Sequence, residues 1–322
     1  MTAVTTYDIG KTAITNVSDQ VRSLIDAATS KATRRAYRGN LARFMSWAGI
    51  NSLPVKSELV AAYIAYLVDC GKSSSTINQA VCAIAEAHKR MQLESPTEHH
   101  AVRLVMRGVR RKIGTAPARK TAMTIDILRT VITSIDRDTL AGKRDAALLL
   151  IGFAGAFRRS ELSALNVNDI SRQTARNGRD HVVINIRRSK TDQDGQGAIK
   201  AIPAGKGTMC PVTALRDYLS AAGITDGAIF RRVTKGNTLI DDRLSGEAIA
   251  AIIKRCAKRA GLSDTLDFSG HSLRSGFVTS AINAGANERQ IANQTGHRSV
   301  VVLRGYIQRS DAINDNAVTT LF

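Results

Sequence analysis

The stretch GHSLRSGFVTSAINAGANERQIANQTGHRSVVVLRGYIQRS, residues 270–310, is the most informative part of this chain. It holds H-x-x-R at His271 and Arg274, a Gly–His pair ending at His297, and Tyr306 nine positions further on. Positions three apart share one face of a helix, so the His271 and Arg274 side chains are expected to point to one site. Tyr306 is the only tyrosine in the last hundred residues. By itself the stretch is compatible with a packed aromatic side chain or with a tyrosine nucleophile.

Two basic residues further upstream, Arg158 and Lys190, lie in sequence surroundings that bear on their function. Arg158 directly follows the apolar stretch AALLLIGFAGAF (146–157), which predicts a buried helix, so its guanidinium is held close to the core. A guanidinium there is costly without an anion, which either Glu161 or a substrate can supply. Lys190 ends the predicted strand HVVINIRRSK, just before the turn-forming TDQDGQG.

Taken together, these residues fit the attack of a phenol on a phosphodiester. The candidate catalytic residues are Arg158, Lys190, His271, Arg274, His297 and Tyr306, with Glu161 in support. The two arginines can donate paired N–H groups to the non-bridging oxygens. A tyrosine hydroxyl has a pKa near ~10 and needs a base, which the first histidine can be. The second histidine can bind a phosphate oxygen, and the lysine can protonate the departing 5′-oxygen.

The composition indicates a polyanionic partner. Lys and Arg number 46 against 27 Asp and Glu, a formal net charge of +19, which is typical of proteins that bind nucleic acid. The longest apolar stretch is too short to span a bilayer, and the N-terminus lacks the pattern of a signal peptide. Four single cysteines suit a reduced cytosol and form no zinc motif. We therefore expect a cytoplasmic protein that binds a polyanion such as DNA or RNA, with no membrane partner.

The pattern of the chain changes along its length. Residues 1–14 are polar and predicted to be a flexible N-terminus, and residues 15–112 predict about five helices. Residues 113–122, with Gly, Pro and cations, read as a linker, and residues 123–322 form a second domain. There, HVVINIRRSK and GAIKAIPA predict two paired strands among helices. The fold class is thus mostly α with a small antiparallel β-sheet in the second domain (α+β).

Helix ends and basic residues add local detail. Expected N-caps are Ser30, Ser57 and Ser74 or Ser75, with Gly49 and Gly71 as C-terminal stops. Basic residues on one early helix, and others crowding the end of the first domain and the linker, favour a phosphate-contacting stripe over a merely solvated face. These candidates are Arg34, Arg35, Arg38, Arg43, Arg103, Arg107, Arg110, Arg111, Lys112, Arg119 and Lys120.

The order and spacing of these motifs resemble the tyrosine recombinases, also called phage integrases. The family pattern is Arg in R-x-S-E-L, Lys on a β-hairpin, H-x-x-R, Gly–His, and Tyr about nine residues later. RRSEL, RRSKT, HSLR, TGH and GYIQ reproduce it in that order across the second domain. EHHAVRLVMRGVRRK and SGHSLRSGF also look like the matching parts of Cre, so we expect a Cre-like member.

This resemblance implies a site-specific recombinase. Its two domains would form a C-shaped DNA clamp, the first being the SAM-like core-DNA-binding domain and the second the catalytic domain. Tyr306 would form a 3′-phosphotyrosine, and strand exchange would pass through a Holliday junction without ATP, metal or other cofactor. A homodimer would bind one double-stranded site of inverted half-sites, and a homotetramer would form the synapse. The tail, about 309–322, would dock on a neighbouring protomer, against the alternative of folding back on its own domain.

Two other functions stay open on sequence alone. One is a type IB topoisomerase, which cleaves and rejoins one strand with the same chemistry. The other is a catalytically silent DNA-binding protein of the same fold. The intact set of six site residues favours an enzyme, and the tail favours exchange between protomers.

Overall fold

The structure is a computed structural model that describes residues 18–116, 120–187, 197–262 and 268–296. The chain forms two compact units, Met1–Ala118 and Arg119–Phe322. The described residues are mostly helical with small antiparallel sheets, as the sequence predicts. The exact residue limits that the sequence predicts for the domains and the linker stay predictions.

The described part of the first unit contains five helices. They are α1 (Asp19–Ala27), α2 (Lys31–Ala48), α3 (Ser57–Asp69), α4 (Ser74–Arg90) and α5 (His100–Ile113). Ser30 caps α2 through its side-chain oxygen, and Gly49 ends it with φ 65, as predicted. The other two N-cap predictions were wrong by one residue: Lys56 precedes α3, and Ser73 caps α4 by accepting from the Thr76 N–H.

The core of the first unit is aromatic at its centre. Phe44 of α2 and Tyr63 of α3 are buried, and their ring centroids lie 5.1 Å apart. Helix α5 closes this core with Val102, Met106 and Val109, which recur at helical spacing and are buried. The opposite face of α5 is therefore left to solvent, and the sequence fills it with arginine.

In the second unit the described helices surround a central one. They are α6 (Ile125–Thr133), α7 (Leu140–Ala154), α8 (Arg159–Ala164), α9 (Pro211–Ala222), α10 (Gly246–Arg259), α11 (Ser272–Asn283) and α12 (Glu288–Thr295). Helix α7 is buried from Asp145 to Phe153, as its apolar run predicts. The sequence placed the start of α11 near Ser269, but its N-cap is His271.

The strands of the second unit form two antiparallel sheets within the described residues. β1 (Ile170–Thr174), β2 (Asp180–Ile186) and β3 (Ala198–Pro203) pair in the order β1-β2-β3, and β4 (Arg231–Val233) pairs with β5 (Leu239–Arg243). The predicted pair is β2 and β3, with Ile184 opposite Lys200. β1 and the β4–β5 hairpin were not predicted.

Candidate active site and DNA-binding surface

A tight turn after α7 delivers the first arginine of the site. Gly155 must be glycine, because a Cβ there would lie 2.1 Å from Cε2 of Phe157. Ala156 follows with φ 46, a conformation that side-chain-bearing residues rarely adopt. The turn is held by the Phe157 N–H, which donates to the Gly152 carbonyl at 3.0 Å. This geometry places Arg158 at the start of α8, beside the core.

Glu161 is the anion that Arg158 contacts. Nη1 of Arg158 donates to Oε1 of Glu161 at 2.6 Å, and the Arg158 backbone N–H donates to Oε2 at 3.0 Å. Glu161 thus caps α8 and orients the guanidinium at once. The side chain of Glu161 is 3% exposed and that of Arg158 is 18% exposed. Arg158 consequently keeps accessible surface through which it can bind a substrate anion.

Arg274 of α11 is brought to the same turn. It is 1% exposed, and its Nη1 donates to the Ala156 carbonyl at 2.9 Å. The approach of α11 to α7 is close, because a Cβ on Gly152 would lie 2.7 Å from Cδ1 of Leu273. The structure therefore brings Arg274 to the short turn that carries Arg158, and the shared binding of a phosphate stays a prediction.

His271 precedes Arg274 by one helical turn, at the N-cap of α11. The residue keeps exposed surface, but neighbouring atoms desolvate its ring, and this desolvation is the main reason its pKa lies below the ordinary 6.5. The positive charges of Arg274 and then Arg158 lower this pKa further. His271 is thus neutral at pH 7 and can accept a proton.

Lys200 of β3 is a site residue that sequence reasoning missed. It is 4% exposed, and its Nζ donates to the carbonyls of Gly155 and Gln294. Its pKa is lowered from 10.5 to about 7, mainly by burial, with Glu161 opposing the shift and the charges of Arg274 and Arg158 adding to it. Lys200 is thus influenced by one carboxylate and two guanidiniums. A site with this excess of positive charge favours an anion.

Comparison with known proteins decides the family. Residues 122–312, more than half of the chain, match the model of the phage integrase family. The chain belongs to the phage integrase family. An integrase/recombinase xerD homolog of Selenomonas ruminantium is 34% identical over 95% of this chain and 90% of its own length. The recombinase cre of Escherichia phage P1 is 29% identical over 92% of this chain and 91% of its own.

The fold of this phage integrase family member also has solved counterparts. The XerH site-specific recombinase, in a post-cleavage complex with a palindromic difH substrate, matches 86% of this chain and 78% of its own with a TM-score of 0.61. Its sequence is 18% identical, so this likeness concerns the fold. The predicted resemblance to tyrosine recombinases is confirmed by the family match and the two relatives.

Three of the predicted site residues lie outside the described residues: Lys190, His297 and Tyr306. Their roles stay predictions that rest on the family motif. The described chain reaches Gly296, which ends α12 with φ 69 and directly precedes His297. The same helix carries Gln294, whose carbonyl accepts from Lys200 at 2.7 Å. Helix α12 is therefore tied to the arginine turn at Gln294, three residues before His297.

The predicted DNA-contacting residues on α5 lie on its solvent face. Arg103, Arg107 and Arg110 are exposed, as are Arg111 and Lys112. On α2, Arg35, Arg38 and Arg43 are exposed and Arg34 is half-buried. In the linker, Lys120 is exposed and Arg119 is not among the described residues. The exposed arginines of α5 form a basic stripe opposite its buried face.

Two further observations concern other partners. Within the described ranges, no helix is long and apolar enough to cross a membrane. Over the same ranges, no three His, Cys, Asp or Glu side chains gather as a metal site would require. The reaction without a metal therefore stays a prediction from the motif.

Proposed function

We propose that this phage integrase family member is a site-specific DNA recombinase with Tyr306 as its nucleophile. The observation that carries the proposal is that both arginines meet at one turn. Arg274 donates to the Ala156 carbonyl, and Arg158 lies two residues after Ala156. Two guanidiniums fixed to one short segment can bind both non-bridging oxygens of one phosphate. Relatives named recombinases, one of them a tyrosine recombinase, support the reaction type.

The proposed chemistry is a transesterification. The Tyr306 oxygen bonds to the scissile phosphorus while the bond from phosphorus to the 5′-oxygen breaks. His271 accepts the tyrosine proton, since its lowered pKa keeps it neutral. Lys190 gives a proton to the 5′-oxygen, and His297 binds a phosphate oxygen. The 3′-phosphotyrosine retains the bond energy, so a 5′-hydroxyl of the partner duplex can reverse the step without ATP.

The partner is double-stranded DNA with inverted half-sites. We propose that the first unit binds DNA through the α5 stripe and α2, and that the catalytic unit and linker residues Arg119 and Lys120 add phosphate contacts. A homodimer would occupy one site, and two homodimers would form the synaptic tetramer that resolves a Holliday junction. The protein would act in the cytoplasm, where bacterial, phage or plasmid DNA is accessible.

The tail is proposed to dock on a neighbouring protomer. Its apolar positions, which lie outside the described residues, are Ile313, Val318, Leu321 and Phe322. The catalytic unit carries an apolar groove of about 580 Å³. Its lining includes Leu128, Leu150, Phe153, Met209 and Phe277. The size and apolar lining suit such a segment, because burying its side chains would stabilise the assembly. Deleting residues 309–322 should prevent tetramers on DNA while single-site dimers persist.

The function is tested by strand exchange on supercoiled plasmids. Duplexes bound by the purified protein are selected from a random pool, and two copies of the recovered site are placed in direct repeat. Recombination should yield two circles without ATP and in the presence of a chelator. Relaxation of any plasmid without exchange would instead indicate a type IB topoisomerase. Binding with no cleavage would indicate a silent DNA-binding protein.

A further inference from the structure

Lys200 is a buried cation that the proposed chemistry does not use. It lies on β3 between two solvent-facing neighbours and points inward with Ile202, at 4% exposure. An ammonium group in an apolar interior is costly unless it is paired and hydrogen-bonded. The hydrogen bonds that its Nζ donates go to two backbone carbonyls of the protein. These contacts indicate a role in holding parts of the site together.

The contacts of Lys200 join two helix ends. Its Nζ donates to the carbonyl of Gly155, which caps the C-terminus of α7, and to the carbonyl of Gln294, in the last turn of α12, at 2.7 Å. It also lies 4.8 Å from the ring centroid of Phe157. Helix C-termini carry partial negative charge, so both carbonyls favour the charged amine.

The two joined segments lead to the chemistry. Gly155 is three residues before Arg158, and its neighbour Ala156 accepts the bond from Arg274. Gln294 is three residues before His297. The side chain of Gln294 reinforces the link, because its Nε2 donates to the Ala154 carbonyl at 2.7 Å. One buried amine thus fixes the arginine turn to the helix that ends before His297.

The charges around Lys200 make it sensitive to a bound phosphate. Glu161 of α8 favours its protonation, whereas Arg274 of α11 and Arg158 oppose it. From the other elements packed against it, α12 presents Gln294 and β2 places Ile184 opposite. An anion on the two arginines offsets their repulsion of the amine and stabilises the protonated form.

We propose that Lys200 is a positioning residue of the phosphate site, which ties the Arg158 turn to the end of α12 and takes up a proton when the scissile phosphate binds. This inference rests on the proposed function, because the phosphate is that of the recombination site. In the free protein the pKa of Lys200 is about 7, so about half of these amines are neutral at pH 7 and most are neutral at pH 8 to 9. DNA binding raises this pKa, and protons are taken up.

The test uses three variants of the full chain. Lys200→Met removes the charge and keeps an unbranched side chain, and Lys200→Arg keeps a charge that does not titrate in this range. Lys206→Met, at an exposed lysine of the same unit, is the control. The rate of covalent adduct formation is measured on a nicked duplex carrying the selected site, from pH 6 to 9. Proton uptake on binding is measured by calorimetry in two buffers of different ionisation enthalpy.

Lys200→Met should slow adduct formation by about 10²-fold, the scale of a misplaced catalytic group, and should lose the proton uptake that the wild type shows at pH 8, where most Lys200 amines of the free protein are neutral. Lys200→Arg should recover part of the rate and show no such uptake. Lys206→Met should match the wild type in both. The proposal would be overturned if Lys200→Met formed the adduct at the wild-type rate, or if its proton uptake on DNA binding were undiminished. It would also be overturned if Lys200→Arg recovered none of the rate while both variants kept the wild-type proton uptake.

Stability of the DNA-free protein gives a second readout. The folded-state pKa of Lys200 is lowered from 10.5, so above about pH 7 the unfolded chain binds more protons at this position. The urea midpoint of the wild type should therefore rise from pH 7 to 9 relative to Lys200→Met. If the urea midpoints of the wild type and of Lys200→Met change in parallel between pH 7 and 9, the lowered pKa of a buried Lys200 amine is contradicted. If the wild type forms no adduct on any selected site, the proposed function fails, and this readout still judges Lys200.

Discussion

Replacing Glu161 with glutamine tests the electrostatic design of the site. The carboxylate and its Arg158 partner are 2.6 Å apart at 3% and 18% side-chain exposure. Removing one member of a buried pair costs about 3–5 kcal/mol. Glutamine retains an oxygen that can accept from the Arg158 backbone N–H, so the loss is limited to the charged part of the contact. Charge-assisted bonds contribute about 1.5–3 kcal/mol, and we therefore expect a destabilisation of about 2 kcal/mol.

The assay is thermal unfolding of the DNA-free protein, and the measured quantity is the Tm of the transition in which the catalytic unit unfolds. For a unit of this size, about 2 kcal/mol lowers Tm by ~4–8 °C. Asp126→Asn is the matched control, because Asp126 also pairs with an arginine three positions away but at 82% side-chain exposure. Exposed pairs and helix-end charges contribute less than about 1 kcal/mol. Equal shifts in the two variants would refute the assignment of a buried, oriented pair.

Three further outcomes follow from the same site and surface. Arg158→Ala and Arg274→Ala should each abolish strand exchange, measured on the two-site plasmid, while gel-shift binding to the selected site stays largely intact; equal loss of binding would contradict their catalytic role. DNA affinity should fall steeply with salt, and Arg107→Ala should reduce the slope of log K against log salt by about 0.9, with an unchanged slope counting against the basic stripe. The His271 imidazole should titrate below 6.5 in DNA-free protein when followed by NMR, because desolvation and two arginines lower its pKa, and a midpoint above 6.5 would contradict this effect of its surroundings.

The residues that sequence reasoning found are those with local signatures. The apolar run before Arg158 predicts a buried helix, and a guanidinium at its end needs an anion, which the structure supplies as Glu161. H-x-x-R predicts two residues on one helix face, and His271 and Arg274 lie one turn apart at the start of α11. In each case the signal depends on neighbours within a few positions of the chain.

Lys200 shows why the rest could not be found. In AIKAIP, hydropathy places Ile199 inside and Lys200 outside, but the strand does the reverse, with Ile199 69% exposed. The register follows Ile202, which is buried and shares the face of Lys200. The spacing of two positions between Lys200 and Ile202 was therefore the one local sign that Lys200 points inward. The partners that make the burial tolerable, Gly155 and Gln294, are 45 and 94 positions away.

The unpredicted strands have a similar cause. β1, ISRQT, shows no alternation of apolar and polar residues, and four of its five positions are exposed. Its conformation comes from pairing with β2, where Ile170 lies opposite Ile184. β4 and β5 are short and rich in charge, and they exist as a pair. Tertiary pairing decides such strands, since local propensity does not.

We expect Tyr306 to become covalently attached to DNA during cleavage. The direct test incubates wild type, Tyr306→Phe and the control Tyr66→Phe, at an exposed tyrosine of the first unit, with a nicked suicide duplex. We expect a covalent adduct in the wild type and in Tyr66→Phe, with the 3′-phosphate mapped by mass spectrometry to the peptide containing Tyr306, and none in Tyr306→Phe. An adduct that persists in Tyr306→Phe, or a phosphate mapped to another residue, would contradict it.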